Sequence, residues 1–222
     1  MTVNGDRGLA SGGQCGNLIV VSAPSGAGKT SLVQALAKSD PQIEISVSHT
    51  TRPPRAGETD GVHYHFVEQT RFDEMIAGDG FLEYATVFGN RYGTSRAEVE
   101  RRINAGYDVI LEIDVQGASQ IRNRMQSAIG VFILPPARDT LAERLAGRAQ
   151  DSAEVIARRL NEAIREISHY REFDYLVVND RFADALADLT TVVRAQRLGR
   201  RCQTLRHGSL LASLLASNRP LG

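Results

Sequence analysis

An amine and a hydroxyl, Lys29 and Thr30, stand side by side behind the run Val20-Val21-Ser22-Ala23-Pro24-Ser25-Gly26-Ala27-Gly28. That combination suits one kind of chemistry, the holding of a polyphosphate and its metal. The two glycines let the backbone curl so that successive N–H groups point inward, while a helix N-terminus adds partial positive charge. Lys29 can then reach the β- and γ-phosphates, and the Thr30 hydroxyl faces a Mg²⁺ that bridges them. Residues Ala23, Pro24, Ser25, Gly26, Ala27, Gly28, Lys29 and Thr30 follow G-x-x-x-x-G-K-[ST] with one departure. Ala23 replaces the first glycine, and alanine is tolerated there only with a negative φ.

Such a loop needs a buried strand before it and a helix after it. Leu18 to Val21 is a short apolar run, and Leu32, Val33 and Leu36 mark one face of a helix closed by Pro41. Residues 43–48 alternate as a strand, and Val62, Tyr64 and Phe66 alternate with His63, His65 and Val67 as another. Phe81 to Phe88 reads as a strand ending at the turn Gly89-Asn90, and Ser95 with Glu98 forms a capping box for the next helix. Further strands are expected over 107–114, 131–134 and 175–179, with helices between and after them. Asp114 stands at the C-terminal end of its strand, where ligands meet parallel sheets. Strands alternating with helices predict an α/β fold, a parallel sheet flanked by helices. The stretch from about 46 to 94 reads as a small sheet-based insertion.

The chain has 26 Lys and Arg against 26 Asp and Glu, so its overall charge advertises neither nucleic acid nor membrane. Beyond Asp188 there are arginines but no acids, a basic tail that reads as a solvated helix face with Leu210, Leu211, Leu214 and Leu215 packing on the body or on a partner chain. Cys15 and Cys202 are too few and too far apart in sequence to suggest a disulfide framework or a zinc site. Residues 1–16 read as a flexible leader without the apolar stretch of a signal peptide, and no run reaches membrane-spanning length. A cytoplasmic protein is expected. His63 and His65 have i,i+2 spacing without a third ligand, so strand surface is the better reading than metal.

A phosphate loop alone names no reaction. Here it is joined by Ser48-His49-Thr50-Thr51-Arg52-Pro53-Pro54-Arg55-Ala56-Gly57-Glu58, by Gly89-Asn90-Arg91-Tyr92-Gly93-Thr94, by Leu111-Glu112-Ile113-Asp114-Val115-Gln116-Gly117, and by Gly147-Arg148 with Arg158-Arg159-Leu160. In these elements and their order, over roughly 17–200, the sequence resembles the guanylate kinases. The resemblance implies a phosphate-loop sheet, a mixed-sheet insertion that binds GMP, a helical lid, and transfer of the γ-phosphoryl group of ATP to GMP with Mg²⁺ in purine metabolism. Carried over by position, Lys29 and the loop from Ala23 to Thr30 would bind ATP, Thr30 the metal, and Asn179 would lie near the adenine. Arg52, Arg55, Tyr64 and Tyr92 would hold the GMP phosphate, while Ser48, Glu83, Thr94 and Asp114 would surround the guanine. Arg144, Arg148 and Arg159 would close over the transferring group. Of the neighbours Arg158 and Arg159, about 100° apart on a helix, only one can face the cleft, and Arg159 is chosen. Glu112 stands where many relatives have aspartate, and Ala149 interrupts the usual Gly-Arg-Gly. The implied division is a leader over 1–16, a core over about 17–45, 100–138 and 170–200, an insertion over 46–99, a lid over 139–169 and a tail over 201–222. ATP and GMP are the expected partners, with no nucleic acid or membrane and a possible homo-oligomer.

The chemistry of the side chains agrees. A monophosphate with a second pKa near ~6 is largely dianionic at neutral pH, so the acceptor needs no strong base. The obstacle is repulsion among anionic oxygens, which a lysine, a metal and several arginines relieve. Arginine is better suited than lysine to planar, bidentate phosphate recognition. Guanine offers N1–H and N2–H donors side by side, and one carboxylate such as Glu83 can accept both. Adenine presents an acceptor at N1 and would leave that carboxylate unpaired.

Overall fold

The computed structural model describes residues 15–87, 89–146 and 153–216. At its centre is β1 (Leu18–Ser22), buried along its whole length. It pairs in parallel with β7 (Asp108–Glu112) and β8 (Ile129–Leu134). β2 (Ile43–Ile45) adds beyond β7 and β9 (Tyr175–Val178) beyond β8, giving the order β2-β7-β1-β8-β9, all parallel. Period-two alternation explains the unbroken apolar run of β1. Ile19 and Val21 face one core, with Leu32, Val33 and Leu36 of α1 (Lys29–Ser39) and Leu189 and Val193 of α7 (Phe182–Leu198). Leu18 and Val20 face the other, with Val99 of α3 (Arg96–Asn104) and Ile121 of α4 (Val115–Arg124). A strand covered on both faces must be apolar on both.

A second, four-stranded sheet has the order β4-β3-β6-β5. β3 (His49–Thr50) pairs in parallel with β4 (His65–Phe66), and β6 (Asn90–Ser95) pairs antiparallel with β3 and with β5 (Phe81–Val87). α2 (Gln69–Ala77) seats Phe72 against Phe81, ring centroids 4.5 Å apart. The predicted capping box is present, Ser95 accepting from the Glu98 N–H at 3.4 Å. α5 (Arg138–Ala146) and α6 (Ala153–Ser168) pack through Leu141, Leu145 and Ala163, and a 3-10 turn over His169–Glu172 follows.

Several sequence expectations are corrected. The strand over 43–48 stops at Ile45, where the Ser46 N–H still donates to Ile110 O, and pairing resumes in the other sheet at His49. The strand over 62–67 shrinks to His65–Phe66, because turn hydrogen bonds from Val62 and His63 to the Thr59 carbonyl coil the preceding residues and leave Val62 65% exposed. Cys15 and Cys202 form a disulfide across 187 residues, their Cα atoms 5.2 Å apart. It joins a residue three positions before the central strand to α8 (Arg200–Arg206), so Cys15 lies buried rather than in a leader. Nearby, buried Asp108 accepts from the Asn17 side-chain amide at 2.6 Å and from Arg197 at 2.5 Å, and Arg197 also pairs with Asp40 at 2.6 Å. The leucines of α9 (Gly208–Leu215) do not pack on the body; Leu214 and Leu215 are 71% and 82% exposed. Among the described residues no helix is long and apolar enough to cross a membrane.

Candidate active site

β1 delivers the chain into a turn closed by the Ala27 N–H on Pro24 O at 3.1 Å. Gly26 and Gly28 both take φ of +90°, and Ala23 is not among the non-glycine residues with positive φ. Gly28 is required on a second count, because a Cβ there would lie 2.4 Å from Asn179 Nδ2. That amide donates to Ala27 O at 2.8 Å. Asn179, expected beside an adenine, is buried against the loop itself. α1 begins at Lys29 with no side-chain cap and no acid in its first turn, leaving its terminal amides to an anion.

Lys29 Nζ donates to Ile113 O at 3.0 Å. Burial pulls its pKa down, and the carboxylates Glu112, Asp114 and Glu166 act against that pull. The Thr30 hydroxyl lies in close contact with the Glu112 carboxylate. The Ser25 N–H donates to Glu166 Oε2 at 3.1 Å, which brings α6 to the loop. Arg144 on α5 donates through Nη2 to Asn179 O at 3.2 Å, while its buried Nη1 has no hydrogen-bond partner among the described residues. Arg159 is half-buried on α6; its neighbour Arg158 is exposed and pairs loosely with Glu162 at 3.8 Å. Arg148 and Ala149 lie outside the described residues.

The second sheet gathers a different set. Arg52 pairs with Glu58 at 2.8 Å, donates to Pro53 O at 2.8 Å, and lies over the Tyr64 ring at 5.4 Å. The Tyr64 and Tyr92 rings meet edge-on at 5.8 Å. Glu58 also accepts from the Arg55 N–H at 2.7 Å, and these hydrogen bonds, Arg52 first, hold its pKa down at about 2. The Arg55 side chain is exposed. Ser48 is half-buried and accepts from the His65 N–H at 2.9 Å.

Deeper in, Glu83 is buried and accepts from the Thr94 hydroxyl at 2.6 Å. Burial pushes its pKa up to about 7; the Thr94 hydrogen bond opposes this and nearby Asp114 adds to it. Asp114 also caps α4, accepting from the Gly117 N–H at 2.8 Å. It is thus an electrostatic neighbour of both Lys29 and Glu83, the point where the two sets meet. The arrangement provides an anion cradle with an amine on one side, and on the other a guanidinium–tyrosine cluster above a buried acceptor.

Residues 15–196 match the guanylate kinase family profile. The chain belongs to the guanylate kinase family. It is 56% identical over 203 residues to the guanylate kinase of Escherichia coli K12, covering 90% of this chain and 98% of that one. The Methylobacillus flagellatus guanylate kinase is 56% identical over 200 residues, covering 90% and 99%. The crystal structure of guanylate kinase from Anaplasma phagocytophilum superposes with a TM-score of 0.70 at 32% identity, covering 95% of this chain and 98% of that one. As a member of this family the protein is an enzyme, a kinase.

Within this guanylate kinase fold, sequence reasoning passed over three residues. Glu58 closes the arginine loop, and its position in the quoted Arg-Ala-Gly-Glu stretch was a usable signal. Gly117 abuts Glu83: a Cβ there would lie 3.0 Å from Glu83 Oε2. Glu166 had no local signal, since an acid on an amphipathic helix is ordinarily solvated.

Proposed function

We propose that this chain transfers the γ-phosphoryl group of ATP to GMP, giving ADP and GDP. The observation that carries this reading is Glu83, an acceptor buried at 5% exposure and anchored by Thr94, reached from the same Asp114 that neighbours Lys29. A buried carboxylate with unused acceptor capacity fits the adjacent N1–H and N2–H of guanine, and an adenine in its place would leave it unsatisfied. Ser48, Thr94 and Asp114 complete the guanine pocket in this reading.

Arg52, Arg55, Tyr64 and Tyr92 bind the acceptor phosphate. Arg52 must then exchange Glu58 for phosphate, and stacking on Tyr64 keeps its fork oriented during the exchange. On the donor side the loop amides and Lys29 hold the β- and γ-phosphates, and Asn179 fixes the loop at Ala27. Arg144 supports a role on the transferring group, because a buried guanidinium nitrogen with no partner among the described residues is costly unless an anion arrives. Arg159, with Arg148, adds charge at the same place. The residues suit Mg²⁺, which takes oxygen donors and keeps several waters: the Thr30 hydroxyl would hold it directly, with Glu112 beside it. When bound, the ion neutralises charge on the phosphates. No protein base is required, so catalysis is positioning and charge neutralisation.

In this reading the core spans about 17–45, 100–138 and 170–200, the GMP-binding insertion 46–99 and the lid 139–169. Their closure over both nucleotides excludes water from the donor. A place in cytoplasmic purine recycling follows from the two substrates. Lys29→Met provides the test. Turnover should fall on the order of 10³-fold with GMP affinity kept within about twofold; near-normal turnover would remove the loop from the mechanism.

A further inference from the structure

The contact between Glu166 and the phosphate loop has no part in the roles above. Glu166 lies on α6, far from the loop in sequence, yet its Oε2 accepts the Ser25 N–H at 3.1 Å. It is half-buried, and burial, the largest influence on it, raises its pKa, with the Ser25 N–H and Lys29 acting in the opposite direction. A carboxylate is desolvated in this way at little gain unless the bond it makes fixes something.

Helical spacing shows what is fixed. Residues seven apart lie within about 20° of each other around a helix, so Glu166 shares its face with Arg159. Arg158 shares its face with Arg165 instead. In agreement, Arg159 is half-buried whereas the Arg158 side chain is 70% exposed. Two adjacent arginines thus compete for one orientation, and the rotation of α6 decides between them. The Glu166 bond ties α6 directly to the phosphate loop, and it sits two turns from Arg159. α5 packs through Leu141 and Leu145 against Ala163 of α6, with Leu160 and Ile167 beside it, and this apolar stripe turns Arg159 and Glu166, four residues before and three after Ala163, toward the inner side together.

We propose that Glu166 is a positioning residue: by binding the Ser25 amide it locks α6 in the rotation its apolar stripe favours, so that Arg159 rather than Arg158 is held facing the phosphate loop. The inference rests on the phosphoryl-transfer reading for Arg159, and on the hydrogen bond alone for the tie itself. Two consequences separate those supports. Without the tie, the loop amide should lose protection whatever the substrate is. With it, the helix should be indexed correctly only when an acceptor oxygen stands at residue 166.

The experiment is a double-mutant cycle on the full chain with Glu166→Ala, Glu166→Gln, Arg159→Ala and the pair Glu166→Ala/Arg159→Ala. Initial rates with ATP and GMP are combined with hydrogen exchange of the loop peptide. Glu166→Ala should lower kcat on the order of 10²-fold with KM for GMP nearly unchanged, the size expected for a misplaced catalytic group. Glu166→Gln retains an amide oxygen and should recover most of the rate. In the double variant the losses should not multiply, because Glu166 acts through Arg159. Loop exchange should quicken in Glu166→Ala and stay slow in Arg159→Ala. Multiplying losses would overturn the coupling to Arg159, and unchanged loop exchange would overturn the tie. Quickened exchange in Glu166→Ala, together with a wild-type protein that lacks GMP kinase activity, would leave the tie standing and sink the phosphoryl-transfer reading instead.

Discussion

The Thr94 hydroxyl donates to Glu83 Oε1 at 2.6 Å across the β5–β6 pair, in which Glu83 and Thr94 stand directly opposite each other. One oxygen of the carboxylate is thereby oriented, and the other is left against Gly117. Position and charge of Glu83 are both set by this small neighbourhood, and each can be perturbed separately.

Charge is controlled by pH. Burial pushes the Glu83 pKa up to about 7, so at pH 8 the side chain is mostly a carboxylate and at pH 6 about nine in ten are protonated. A protonated acid presents a donor to guanine's donors. GMP affinity should therefore weaken as pH falls from 8 to 6, approaching tenfold per unit at the low end. The GMP phosphate also titrates near ~6, so isothermal titration of Glu83→Gln provides the baseline slope. Equal slopes in the two proteins would contradict the assignment.

Stability should run the opposite way. The folded pKa of about 7 lies above the unfolded value of 4.5, so the folded state binds this proton more tightly. The contribution of Glu83 is fully present below pH 4.5 and is lost as pH rises through about 7, at most about 3 kcal/mol from this group. Glu83→Gln should accordingly raise the melting temperature at pH 8 while weakening GMP binding to a level that titration still measures, a pairing that calorimetry with and without GMP will detect.

Position is controlled by Gly117. A methyl there would meet Glu83 Oε2 at 3.0 Å and Ile113 Cδ1 at 3.3 Å. Gly117→Ala should raise KM for GMP about tenfold by displacing the carboxylate, with ATP affinity unaffected. Because the site is in the first turn of α4, alanine itself favours the helix by up to about 1 kcal/mol, so a loss of affinity here will not be accompanied by loss of fold. Steady-state kinetics with each nucleotide varied gives the answer.

These relationships were unequally legible in the sequence. The phosphate loop could be read directly, because two glycines at φ +90° before a lysine leave few alternatives. The capping box at Ser95 could be read from local spacing, because its partner is three residues away. Tertiary choices could not. Asn179 turns under Ala27 across 152 residues, and nothing in the stretch Val178-Asn179-Asp180 indicates that direction. The Cys15–Cys202 disulfide depends on α8 docking beside Asn17, which no spacing rule predicts. The alternation at 62–67 was overread, since a tight turn at Thr59 coils residues that look strand-like by period alone.

That disulfide should be visible in stability and silent in turnover. Closing a loop of 187 residues restricts the unfolded chain by up to about 5 kcal/mol in the chain-entropy account. Dithiothreitol should lower the urea midpoint of the wild type to that of Cys15→Ser/Cys202→Ser, leaving kcat unchanged. An unshifted midpoint, with two thiols titrating in unreduced protein, would show the pair to be open.

The orphaned guanidinium of Arg144 gives a further expectation. Nη2 is held by Asn179 O and Nη1 has no partner among the described residues, so in the proposed role both nitrogens are needed at once. Lysine cannot span them. Arg144→Lys should lower kcat on the order of 10²-fold or more with little change in GMP affinity, as single-turnover and binding measurements can separate.

The central claim is that a phosphate-loop donor site and a carboxylate-lined guanine pocket act together in one reaction. A coupled assay of ADP release with GMP, AMP, CMP and UMP as acceptors tests it most directly. The account predicts rapid turnover with GMP and a rate lower on the order of 10⁴-fold with AMP, where the buried acceptor Glu83 would go unpaired. Preference for AMP, or equal rates across the four acceptors, would contradict it.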